Sequence, residues 1–118
     1  MSTPLNPVSV ENGIRGTSER ISKGVLIASR RYGEFLKAVN AYERAFAREY
    51  MAYDGAAHAK KYAALLATTE LKDALDVADV AYREADRQAR ALDSELRAWQ
   101  SVGASVRSMY GVAGRGES

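Results

Sequence analysis

Lys23, Arg30, Lys37 and Arg44 recur every seven residues. On an α-helix that spacing sets four cations along one face, about 10 Å apart. Lysine supplies a compact charge and arginine a donor fork, the groups that hold phosphates and carboxylates. Arg20, Arg31 and Arg48 lie close to the same row. In a chain that folds back on itself, Arg97 and Arg107 come to the pole where this segment begins, while Glu70, Asp73, Asp76, Asp79, Glu84 and Asp86 form an acidic middle. The formal charge of +2 therefore hides a dipolar molecule. Two readings stand side by side: a basic pole that grips phosphates or an acidic partner helix, and a solvated outer helix face.

Other chemistry has little to stand on. His58 is the only histidine and lies in an Ala/Lys-rich stretch with no serine, cysteine or second histidine at useful spacing. Asp73, Asp76 and Asp79 step by three, which drifts around a helix, and neither a loop nor a histidine joins them into a cation site. The GVAGRG run from Gly111 follows no strand, so it is no phosphate-binding loop. With no cysteine there is no thiol nucleophile, disulfide or zinc finger. The expectation is a protein without catalytic residues, metal or cofactor. Of the 7 tyrosines, Tyr32, Tyr42, Tyr82 and Tyr110 fall at packing positions, as does Trp99, which reads as an anchor between helices.

The elements that must carry these residues are helices. Ile21, Val25, Ala28, Tyr32, Phe35, Val39, Tyr42 and Phe46 follow one another at alternating steps of four and three. Leu71, Leu75, Ala78, Tyr82, Ala85, Ala89, Leu92, Leu96, Trp99, Gly103, Val106 and Tyr110 do the same. Steps of this kind mark helices packed along a shared seam. The spacing predicts an all-α fold: a long antiparallel, coiled-coil-like hairpin of helices over roughly 17–53 and 68–110. A short connecting helix over 56–66 is expected between them, with a bend at Thr68-Thr69; a continuous projecting helix is the alternative. Thr17 or Ser18 offers an N-cap, and Gly55 suits the left-handed residue that closes a helix. Residues 1–16, punctuated by Pro4, Pro7, Gly13 and Gly16, read as a flexible arm, 17–110 as the hairpin domain and 111–118 as a flexible tail. Gly24 and Gly33 inside the first helix signal a bend or a close approach by a partner backbone.

Two helices of this size leave apolar surface wet. One flank of the second helix carries Ala74, Ala81, Val102 and Met109, with Val77 beside them; the opposite flank sets Asp79, Asp86 and Asp93 four residues before Arg83, Arg90 and Arg97. The apolar flank calls for cover by the short helix or by a second copy, so a homodimer is expected. No uncharged run approaches the ~20 residues of a membrane span, and the first residues lack a basic start and apolar stretch. That points to the cytoplasm and away from membranes.

The stretches AYERAFAREYMAYDGAAHAKKYAALLATTELKDAL and LDSELRAWQSVGASVRSMYG resemble small helical proteins encoded by tailed bacteriophages, notably those of actinobacteria. The likeness spans roughly residues 30–110. It implies a non-enzymatic accessory role near replication or recombination, with a protein or DNA as partner, and carries no site residues. An inhibitor of a host enzyme or defence system and a virion component are the alternatives.

Overall fold

The computed structural model describes residues 5–116, with side chains as far as Gly111, and its regular elements are all helical. Helix α1 is Pro7–Ala52, α2 is Ala57–Ala67 and α3 is Thr69–Gly116. The expected pair of long helices and short connector therefore forms. The ends differ from expectation. Residues 7–16, read as arm, are the first turns of α1, and residues 111–116, read as tail, continue α3. Residues 1–4, 117 and 118 lie outside the described residues.

The early start of α1 has a local cause. The Asn6 N–H donates to Ser9 Oγ at 3.0 Å while the Ser9 N–H donates to Asn6 Oδ1 at 2.9 Å. This reciprocal cap satisfies two backbone donors, and Pro7 occupies the first helical position, where its missing N–H costs nothing. The N-P-V-S string thus opens a helix instead of punctuating an arm. Thr17 is no cap. It lies inside α1, fully buried, with its Oγ1 accepting from Arg20 Nη2 at 3.2 Å.

The connection at Thr68 follows the expected bend. Its backbone, at φ −113° and ψ 18°, interrupts the helix for one residue. Thr68 Oγ1 donates to the Ala64 carbonyl at 2.7 Å and Thr69 Oγ1 to that of Leu66 at 3.0 Å, so the hydroxyls occupy carbonyls that the interruption frees. Gly55 departs from expectation: among the described residues no glycine has positive φ. A Cβ there would fall 2.7 Å from the outer end of the Tyr53 ring.

The chain forms two compact units, one joining the described residues up to Leu26 with those from Arg87 onward, the other Ile27–Asp86. In the first, antiparallel α1 and α3 interlock large residues against glycines. Trp99 of α3 lies on Gly13 of α1, where a Cβ would fall 2.6 Å from ring atoms; Val10 of α1 meets Gly103 of α3, at 3.0 Å from such a Cβ. Arg20 Nη2 crosses from α1 to Glu95 Oε1 at 3.0 Å. Leu92 faces Gly24, so Gly24 holds the seam position and Val25, expected there, is 57% exposed. A Cβ at Gly24 would make ordinary van der Waals contact with Leu92, at 3.6 Å. Leu71 and Tyr110, at the seam's two ends, are exposed as well.

In the second unit rings replace aliphatic packing. Tyr82 of α3 meets Tyr32 and Phe35 of α1 at centroid distances of 5.0 and 6.0 Å. Tyr42, Phe46 and Tyr50 follow at successive i,i+4 positions of α1, each neighbour 6.1 Å away, the first pair tilted and the second stacked. Lys72 of α3 and Lys60 of α2 lie over the Tyr42 and Tyr50 rings at 5.9 and 5.7 Å, adding cation–π attraction. The tyrosines and Trp99 at packing positions, Tyr110 apart, are therefore engaged between or along helices.

Candidate functional site

The outer face of α1 opposite the seam is set by helical rotation: 7 residues return within 20° of the same direction. Arg30, Lys37 and Arg44 share that face within the Ile27–Asp86 unit, together with Arg48. All four are exposed and, among the described residues, none makes an ion pair or side-chain hydrogen bond. Lys23, the fourth member of the seven-residue series, lies on α1 in the other unit, also exposed and without an ion pair among the described residues.

Three arginines off this row are placed differently. Arg31 pairs with Glu34 at 3.0 Å, Arg20 with Glu95 at 3.0 Å and Arg97 with Asp93 at 2.7 Å. The broad basic pole expected from Arg20 and Arg97 is thus partly neutralised by close carboxylates. Pairing also draws off Glu34, the one acid within i,i+4 reach of both Arg30 and Lys37. On the outer face of α1 this leaves a narrow line of uncompensated cations; Arg107 on α3, expected at the same basic pole, is likewise exposed and in no ion pair among the described residues.

The ground between them is low. Gly33 lies three residues after Arg30 and four before Lys37; Asn40 and Ala41 separate Lys37 from Arg44. A Cβ on Gly33 would meet nothing within 4 Å. No close contact among the described residues accounts for this glycine, which costs about 1 kcal/mol relative to alanine in a helix interior. Sequence reading flagged Gly33 but could not tell that it faces open space on the side of the cations.

On α3 the acids are partly committed. Asp76 binds Lys72 at 2.8 Å and Asp79 binds Arg83 at 2.8 Å. The hydrogen bond to the carboxylate and its charge hold both cations above their ordinary pKa values. Asp73, Asp76 and Asp79 form no cation site: no metal-holding group of His, Cys, Asp or Glu occurs among the described residues. His58 is exposed on α2.

The flank expected to self-associate is unevenly covered. In the Ile27–Asp86 unit Ala74 is exposed and Ala81 half-buried, with Val77 and Val80 between them 70% and 60% exposed. In the other unit Val102 is half-buried and lines a shallow apolar cleft of about 220 Å³ with Leu5, Ala98 and Trp99, whereas Met109 is exposed. A second cleft there, about 320 Å³, lies among Val10, Ile14 and Val106, with Glu11 and Arg107 in its lining. Among the described residues no helix is long and apolar enough to cross a membrane. No protein-family model matches the chain, nor does any curated protein or solved structure.

Proposed function

We propose that the chain is a non-enzymatic binding protein whose working surface is the outer face of α1 and whose partner is a polyanion. The observation that carries this reading is the line Arg30, Lys37 and Arg44, exposed and without a carboxylate, on a chain that pairs many of its other surface arginines. Burying such cations against phosphates releases counterions and needs no catalytic group. An accessory factor of phage replication or recombination, at work in the host cytoplasm, fits that chemistry, and the resemblance noted above supports it.

Fluorescence anisotropy with labelled DNA and with labelled polyglutamate at two salt concentrations is the test. With three phosphates engaged, affinity for DNA should fall about 40-fold between 50 and 200 mM salt, independent of base sequence. Replacing Arg30, Lys37 and Arg44 together by glutamine should abolish the interaction while circular dichroism stays unchanged, because all three lie off the seam. Unchanged binding in the triple variant removes this face from the function.

The partner on the α3 side is proposed to be a second copy of the chain. Val77 and Val80 are the support, since two large apolar side chains this exposed on a packed helix lie ready for cover, next to Ala74 and Ala81. Light scattering should then give a dimer mass at micromolar concentration, and Val77→Lys should shift it to monomer without loss of helicity. A monomer mass for the wild-type chain over the whole concentration range rules the second copy out.

A further inference from the structure

We infer that the α1 face built on Arg30, Gly33, Lys37 and Arg44 is shaped for the phosphate backbone of duplex DNA, with Gly33 as the point of closest approach; this rests on the polyanion reading above. Three observations favour a duplex. The first is the terrain. Gly33 sits between two unpaired cations, and an added side chain there would project into open space, so nothing inside the chain calls for glycine. A partner does. A half-buried glycine whose Cβ direction is open, flanked by cations, brings the helix backbone itself near a flat charged surface, while Arg30 and Lys37 reach phosphates on either side.

The second observation is what the face lacks. Single strands are held by aromatic side chains on which bases stack. Tyr32, Phe35, Tyr42, Phe46 and Tyr50 engage other rings on other sides of α1, which leaves the cation face without a stacking platform. The third is spacing. Cations about 10 Å apart along a rigid helix suit a stiff lattice of phosphates, and a duplex presents about one charge per 1.7 Å of its axis. A flexible single strand offers fewer charges per length and would have to be ordered along the helix.

The experiment compares the wild-type chain with Gly33→Ala and Gly33→Leu against three labelled probes at low salt: a duplex, a single strand of the same length, and polyglutamate. Wild type should bind the duplex severalfold more tightly than the single strand, and replacing single-strand bases by abasic sites should leave its weaker binding unchanged. Gly33→Leu should lower duplex affinity about tenfold and the salt slope by about one, as the flanking contacts are held off. Gly33→Ala, with a Cβ in open space, should melt higher than wild type and bind the duplex less tightly than wild type. Both variants remain folded by circular dichroism, so a loss of binding reports the face and not unfolding. Equal binding of single strand and duplex, or a Gly33→Leu chain that binds the duplex like wild type, overturns the inference while leaving the polyanion reading in place. If wild type binds none of the three probes, both fall.

Discussion

Trp99→Ala should destabilise the chain by about 3 kcal/mol, at the lower end for large aromatic truncations because the ring is half-buried. Gly13→Leu should be as damaging for the opposite reason. A Cβ at Gly13 would lie 2.6 Å from atoms of the Trp99 indole, and a rigid ring has no free end to swing away. The two residues are halves of one contact, so their effects should not add: Gly13→Leu introduced into Trp99→Ala should cost far less than in wild type, since the cavity left by the indole receives the new side chain. Urea denaturation of the four chains, followed by circular dichroism, measures the cycle. Additive losses would mean that the indole does not rest on Gly13.

That contact also shows how far the sequence could be read. The three-four stepping from Leu71 to Tyr110 named Trp99, Gly103 and Val106 as inward positions, because a helix keeps one face turned to its partner. It could not name what faces them. Val10 and Gly13 lie ahead of the first clear apolar period, and two prolines and two glycines made their segment resemble an arm. The capping pair Asn6 and Ser9 turns one of those prolines into a helix start, and the bulk of Trp99 turns one of those glycines into a packing device. Val25 failed for a related reason. Steps of three and four from Ile21 lead equally well to Gly24 and Val25, and hydrophobicity favours valine, whereas the residue that faces Leu92 is Gly24.

The candidate face was legible in part. Seven-residue spacing alone placed Arg30, Lys37 and Arg44 together, because helical rotation is insensitive to tertiary detail. Which cations are spent inside the chain was not legible. Arg20 meets Glu95 across 75 residues, and Arg31 takes Glu34 although Arg30 and Lys37 stand at equally good spacing. Such choices are made by rotamers and by contacts distant in sequence. They are also what separates a line of available charge from a general basic pole.

Tyr82→Ala should cost the second unit about 3 kcal/mol, while Tyr82→Phe should cost almost nothing. The argument starts from how few side chains are fully buried there. Of the apolar residues in Ile27–Asp86, Ala45 and Ala64 are buried, and both are small. Bulk is supplied instead by rings, and Tyr82 is the α3 ring that meets two from α1, stacked on Phe35 with a 15° interplanar angle and tilted by 50° against Tyr32. Aromatic pairs of this geometry add about 0.5–1.5 kcal/mol each beyond the area they bury. Truncation removes both pairs and leaves Phe35 without its stacking partner. The hydroxyl makes no side-chain hydrogen bond among the described residues, so phenylalanine retains what matters. Amide hydrogen exchange locates the effect: in Tyr82→Ala protection should drop along 27–52 and 69–86 well before it drops around Trp99. Equal stability of the alanine and phenylalanine variants would show that the rings touch without holding the helices together.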